Sequence, residues 1–305
     1  MKETKEQGAH KVQAEKAIAT SGRTRDIIRK HGFTFKKSLG QNFLINGHVL
    51  DKIIEAADLD ETKGALEVGP GIGSLTERLA KTAGKVTAVE IDRRLLPILE
   101  DVLSPYGNVS VVHGDVLKTD LRALWEEKFA GLSGVSVVAN LPYYVTTPII
   151  MKLLEDRLPL ENIVVMVQKE VAVRMAAKPG GKDYGSLTVA VQYYCEPEVV
   201  CVVPGSSFIP EPNVESAVIR LKRRPAPAVD VRDEDSFFRV VQAAFAQRRK
   251  TLANNLTAFS GKDRKGELAE LLTAVGVQPE RRAETLSLEE FAAVYEALEK
   301  AGMSN

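Results

Sequence analysis

Cysteine and histidine are nearly missing from this chain. Cys195 and Cys201 are the two cysteines in 305 residues, and their spacing suits neither a disulfide framework nor a Cys-x-x-Cys site; they fit a reducing compartment. The four histidines, His10, His31, His48 and His113, are scattered, so no metal site is expected. Net charge is also lacking, with 41 basic residues against 41 acidic ones. Overall charge therefore singles out no partner, and any nucleic-acid surface must come from uneven distribution. No apolar run is long enough to span a bilayer, and the polar N-terminus lacks the apolar core of a signal peptide. These absences lead to the expectation of a soluble, cytoplasmic protein. What is present is ordinary globular composition, 44% hydrophobic and 27% charged, in a length that suits two domains or one large domain with an appendage.

The first 22 or so residues are rich in Lys, Glu, Gln and Ala and have little to bury. Residues 1–32 are taken as a leader, with a short amphipathic turn over Arg23 to His31. A mixed aromatic and polar stretch follows, Phe33 to Leu44, whose amides between apolar anchors suit a loop folding over a ligand. Asn46 is placed to cap the next helix. From Ala65 the pattern alternates. Short β-branched runs ending at Val68, Asp92, His113 and Asn140 are separated by helical periodicity, which predicts a mainly parallel sheet with helices on both faces. Ser74 is read as the cap of the helix after the first run. A fifth strand over Ile163 to Val167, helices from Lys169 and around Leu187, and strands over Val199 to Val203 and Ala217 to Leu221 complete residues 33–224. Pro225-Ala226-Pro227-Ala228 is the one convincing linker. Residues 229–305 read as helix throughout, the last helix opening with a capping box of Ser287 and Glu290.

The chemistry concentrates where the strands end, since open α/β sheets bind ligands at their carboxyl edge. Glu67-x-Gly69-x-Gly71-x-Gly73 lets the backbone approach a ligand closely, a feature many α/β proteins share. Glu90, ending the second strand, suits two ribose hydroxyls, and Asp115, after the third, suits an adenine amino group. Glycines, Glu90 and Asp115 on three successive strands point to an adenosine-containing cofactor. The fourth strand ends in Asn140-Leu141-Pro142-Tyr143-Tyr144: an amide acceptor, a carbonyl fixed by proline and a ring for stacking. Those are tools for gripping the exocyclic amino group of a flat base.

This pattern resembles the S-adenosylmethionine-dependent methyltransferases of amino nitrogens, and more narrowly the small-subunit (16S) rRNA adenine N6,N6-dimethyltransferase family. The resemblance runs from about Arg23 to the end of the chain. It rests on Leu39-Gly40-Gln41-Asn42-Phe43-Leu44, Glu67 to Gly73, Gly114-Asp115, Asn140 to Tyr143, Phe208-x-Pro210-x-Pro212 through Val218, and Gln247-Arg248-Arg249-Lys250-Thr251-Leu252-x-Asn254-Asn255-Leu256. It implies a Rossmann-like methyltransferase domain over 33–224 and a small all-α RNA-recognition domain over 229–305. Asn42, Leu44, Gly69, Glu90, Asp115 and Asn140 would then line the S-adenosylmethionine pocket, with Glu67, Gly71, Gly73, Ile91 and Val116 from the same motifs. Asn42 and Leu44 fall at the methionine end. Asn140, Pro142 and Tyr143 would hold the target base, with Phe208 stacking on its other face.

The implied reaction dimethylates N6 of two adjacent adenosines near the 3′ end of 16S rRNA in an assembling 30S subunit. A monomer needing no metal and no membrane is expected. Lys36-Lys37, the run through Lys222 and Arg223, and Arg248-Arg249-Lys250 are the basic clusters expected to contact phosphate. Three other readings stand beside this one. A large-subunit (23S) rRNA adenine N6-methyltransferase conferring antibiotic resistance shares much of the pattern. A non-catalytic nucleic-acid-binding relative has no need of Asn140, Glu90 and Asp115. An NAD dehydrogenase lacks a hydride-transfer partner here.

Overall fold

The computed structural model describes residues 17–303, the side chains of Lys37 and Lys262 excepted. The chain opens with α1 (Ser21–Lys30), whose cap Thr20 accepts from the Arg23 amide. The next elements are β1 (Phe43–Leu44), α2 (Gly47–Ala57), β2 (Gly64–Val68), α3 (Ser74–Ala80), β3 (Lys85–Glu90), α4 (Leu96–Leu103), β4 (Val109–His113), α5 (Leu121–Phe129) and β5 (Val135–Asn140). They are followed by α6 (Thr146–Glu155), β6 (Asn162–Gln168), α7 (Lys169–Met175), α8 (Ser186–Tyr194), β7 (Cys195–Val203), β8 (Phe208–Ile209) and β9 (Ser216–Arg223). Four helices close the fold: α9 (Glu234–Ala244), α10 (Leu252–Ser260), α11 (Lys265–Ala274) and α12 (Leu288–Lys300).

Seven strands form one sheet in the order β4-β3-β2-β5-β6-β9-β7. The first five are mutually parallel, while β9 runs antiparallel to both its neighbours. Every residue of β2 is buried, as are nearly all of β5 and β6, because helices cover both faces. The chain builds outward from β2 through β3 and β4, then returns to place β5 on the other side of β2. That reversal is the switch point where such sheets open a crevice. The alternation expected from the sequence is therefore present, and Asn46 caps α2 by accepting from the His48 and Val49 amides. The Ser287–Glu290 capping box is also formed.

Four expectations change. Residues 1–16 of the expected leader lie outside the described residues, but residues 17–32 pack onto the sheet domain. Ile18 and Ile27 are buried against Leu95, Ile98 and Leu99, and the Ile18 amide donates to Glu77 Oε2 at 2.9 Å. Ser74 does not cap α3; Gly73 takes that position at φ +90°, and Ser74 is the first helical residue. The segment Phe208-x-Pro210-x-Pro212, for which no strand is expected, opens with the two-residue β8, which pairs with β1, Phe43 opposite Ile209 and Leu44 opposite Phe208. The linker at 225–228 is strapped down, with the Ala228 amide on the Tyr193 carbonyl at 2.9 Å. Beside it the rings of Tyr193, Phe237, Phe238 and Tyr295 join the C-terminal helices to the sheet domain in one continuous core.

Candidate active site

A cleft of about 840 Å³, its open mouth included, lies at the carboxyl ends of β2, β3 and β5. Its floor is the turn after β2. Gly69 and Gly71 take φ of +70° and +59°, where a side chain is strained. A Cβ on Gly71 would also stand 3.1 Å from the Phe43 ring, so only glycine lets the loop above close down.

Two carboxyl groups face this floor. Glu67 and Glu90 are 1% and 4% exposed. Burial pushes Glu67 up to about 8, with the Thr76 hydroxyl pulling the other way without completing a hydrogen bond and the Glu90 charge adding to the rise. Glu67 Oε2 has no hydrogen-bond partner. Burial likewise lifts Glu90 to about 7, against the amides of Asp92 and Gly71. Its Oε1 accepts from the Asp92 amide at 2.7 Å. Such carboxyls suit a ligand bringing hydroxyl donors or positive charge, and an adenosine with a sulfonium brings both.

The opposite wall carries Asn140. Its Nδ2 donates to the Asn42 carbonyl at 3.0 Å. Because a carbonyl can only accept, the amide is oriented: nitrogen toward the loop, Oδ1 left to accept from something else. Tyr143 lines the cleft with its hydroxyl on Ser216 Oγ at 2.7 Å. Tyr144 lines the mouth, 58% exposed, over Gly40. The Pro142 carbonyl takes the Val145 amide and the Thr146 hydroxyl, both at 3.2 Å. Both its lone pairs are thus committed within the turn, contrary to the expectation that it holds the base.

Of the residues expected at the site, Asn42, Leu44, Glu67, Gly69, Gly71, Glu90, Ile91, Asn140, Pro142 and Tyr143 line this cleft. Four do not. Gly73 packs on Val102 and Leu103, and Val116 is buried in the core. Asp115 turns its carboxylate back onto the Leu117 amide at 3.0 Å, beside the Gly114 amide that binds the Glu90 carbonyl at 2.9 Å. Phe208 is buried with Leu44, Met166 and Val218, held there by the β1–β8 pairing, so its ring serves the core. The lining includes Gln41, Leu141 and Tyr144, which had no assigned role. All three sit inside motifs already visible in the sequence; only their direction was hidden.

The basic clusters separate. Arg248, Arg249 and Lys250 are exposed, and Lys182 and Arg282 join the two arginines around one surface hollow. Lys36 is exposed on the loop above the cleft, and the Lys37 side chain is outside the described residues. Lys222 and Arg223 fall elsewhere. Lys222 pairs with Asn162 at the start of β6, six residues from its cleft end at Gln168, or about 20 Å. The Arg223 guanidinium lies 4.9 Å over the Tyr194 ring, and Arg220 and Arg224 pair with Glu198 and Glu196. This run lies at the far end of the sheet, with two of its four basic residues paired to glutamates. Among the described residues no group of three or more His, Cys, Asp or Glu could hold a metal, and no helix is long and apolar enough to cross a membrane.

A model of the family described as ribosomal RNA adenine dimethylase matches residues 32–300. The chain belongs to this family. Two curated relatives of the dimethylase are named ribosomal RNA small subunit methyltransferase A. The one from Geobacillus sp. (strain WCH70) is 60% identical over 93% of this chain and 98% of its own length. That from Bacillus cereus (strain B4264) is 58% identical over the same shares. Among solved structures, a dimethyladenosine transferase from Plasmodium falciparum is similar with a TM-score of 0.73 at 29% identity, covering 86% of this chain and 98% of that one. The 23S rRNA methyltransferase ErmE is similar with a TM-score of 0.64, also at 29% identity, covering 85% and 100%. The dimethylase thus has the mainly parallel sheet that the strand alternation predicted and the Rossmann-like methyltransferase fold that the resemblance implied.

Proposed function

We propose that this enzyme uses S-adenosylmethionine to dimethylate N6 of two adjacent adenosines in the 3′-terminal hairpin of 16S rRNA, acting as a cytoplasmic monomer on the assembling 30S subunit. The observation that carries the reading is the orientation of Asn140, whose Nδ2 is spent on the Asn42 carbonyl while Oδ1 is left as an acceptor beside the cleft. Identity near 60% to small-subunit methyltransferases over almost the whole chain favours that substrate over large-subunit rRNA, a choice the fold does not make.

The cofactor, when bound, supplies an electrophilic methyl group. Glu90 would accept from its ribose hydroxyls, Asn42 and Leu44 would stand at its methionine end, and Asp115 would have to leave the Leu117 amide to reach the adenine. The N6 lone pair of the target is delocalised into the ring, so N6 is a weak nucleophile. Asn140 Oδ1 accepts one N6 hydrogen and draws the nitrogen toward a tetrahedral shape. With the Pro142 carbonyl committed to its turn, the Leu141 carbonyl on the same wall is the second acceptor. After one methyl a single hydrogen remains, and Asn140 retains a partner for the second transfer. As the N–C bond forms, the C–S bond breaks to give S-adenosylhomocysteine. The methylated N6, now strongly acidic, sheds its extra proton to solvent, so positioning dominates and no strong base is needed. Tyr143 gives the base its aromatic wall; stacking by Phe208 would require β8 to release its ring. Arg248, Arg249, Lys250 and the Lys36-Lys37 loop meet phosphates, and Lys222 and Arg223 have no such role.

The test is transfer of labelled methyl to unmethylated small subunits, large subunits and naked duplex DNA. N6,N6-dimethyladenosine in small-subunit rRNA is expected, with Asn140→Ala slower by about 10²–10³ and folded normally. Label confined to large subunits would move the substrate, and binding without label would make the protein a platform.

A further inference from the structure

The loop over the cleft is tied down through one side chain with no obvious chemistry of its own. Both ends of the Gln41 amide are committed: Nε2 donates to Asp92 Oδ2 at 2.8 Å, and Oε1 accepts from the Lys36 amide at 3.0 Å. Asp92 is 5% exposed and clamped by Arg94, whose Nε and Nη2 reach it at 2.9 and 2.6 Å. Arg94 also donates to the Thr34 carbonyl at 2.9 Å and lies 5.0 Å over the Phe33 ring. The loop is therefore pinned at 33, 34 and 41 to one Asp92–Arg94 pair, and at 36 to Gln41 itself. The next residue, Asn42, presents the carbonyl that holds the Asn140 amide. Asp92 in turn donates its own amide to Glu90.

We propose that Gln41 is a positioning residue: by bridging Asp92 to the loop it holds the Asn42 carbonyl against Asn140, and so couples the cofactor wall to the amide that grips the target base. This rests on the reading of Asn140 as that amide. A neutral donor on a desolvated carboxylate makes a charge-assisted bond, stronger than a neutral pair. The Arg94 guanidinium holds Asp92 down at about 2, so the acceptor stays ionised at any working pH. Without Gln41 the Asn42 carbonyl is held from one side only, by the pairing of Phe43 with Ile209. The Asn140 amide can then turn, offering nitrogen where oxygen is needed.

Single-turnover methyl transfer at saturating donor tests this, with S-adenosylhomocysteine affinity measured by calorimetry on the same variants. Gln41→Ala is expected to slow transfer about tenfold or more, the loss of one charge-assisted bond. In an Asn140→Ala background the same change costs nothing further, because no amide is left to orient; a merely structural role would lower the rate again. Gln41→Glu sets two carboxylates face to face and is slow as well. A wild-type rate in Gln41→Ala, or a second loss in the Asn140→Ala background, overturns the proposal. Full activity in Asn140→Ala alone would overturn the role of Asn140 itself. Loss there with none in Gln41→Ala would overturn only the coupling.

Discussion

At the carboxyl end of the sheet, Glu67 and Glu90 are buried together and Glu67 Oε2 is left without a partner. Toward the other end, Arg220 and Arg224 on or beside β9 face Glu198 and Glu196 across the ladder to β7. One end holds two buried carboxyls that a ligand's donors can satisfy; the other sets two arginines against glutamates, although Arg220 Nε and Arg223 Nη1 keep no hydrogen-bond partner. The second arrangement also serves the edge. The exposed strand β7 carries Glu196, Pro197, Glu198 and a bulge between Val199 and Cys201, which discourage pairing with another chain. Charged residues in a chain are therefore informative about function only once their neighbours across the sheet are known.

Three measurements would break or sharpen this contrast. The largest effect is expected on RNA affinity. Reversing Arg248 and Arg249 to Glu should weaken rRNA binding about tenfold or more and reduce the salt slope by about two, while Lys222→Glu leaves both unchanged. Equal losses from the two clusters would return the far end to the interface. Next is pH. Glu90 and Glu67 titrate near 7 and 8 in the folded protein against an ordinary value of 4.5. The folded state keeps protons that the unfolded chain releases, so their stabilising contribution is complete below about 4.5 and is lost as pH rises through 7 to 8. The melting temperature of the cofactor-free enzyme should fall by several degrees across that window, and Glu90→Gln should flatten the fall; an unchanged slope would place the strain elsewhere. The smallest effect is structural. Arg223→Ala should cost about 1 kcal/mol in denaturant unfolding, through the Tyr194 ring and the Leu154 carbonyl, with transfer rates untouched.

How far the sequence could be read follows from the range of the interactions involved. Strand and helix periodicity is local, so the alternation from Ala65 to Asn140, the cap at Asn46 and the box at Ser287 were all legible. Residues at strand ends were legible too, because topology alone carries Glu67, Glu90 and Asn140 to one edge. What escaped depends on direction or on distant partners. The two-residue β8 has no period to detect, and its pairing with β1 is what buries Phe208. The Pro142 carbonyl was lost to a turn closed by Val145 and Thr146, a matter of a few torsions. Arg220 through Arg224 look like an RNA patch until β7 is laid beside them.

The pairing of β1 with β8 also sets an order of events during synthesis. Ser207 receives the Asn46 side-chain amide across 161 positions of sequence, and the Ile45 amide donates to the same residue's carbonyl. As the chain emerges from its N-terminus, β2, β3 and β5 can assemble once residue 140 is out, so the floor of the cleft forms early. Its roof, although translated first, is then held only on the Asp92–Arg94 and Asn140 side, because its β8 anchor is still unmade. A nascent chain thus passes through a stage with a half-anchored roof. Full closure over the cleft is acquired only once residues 207–209 have been made.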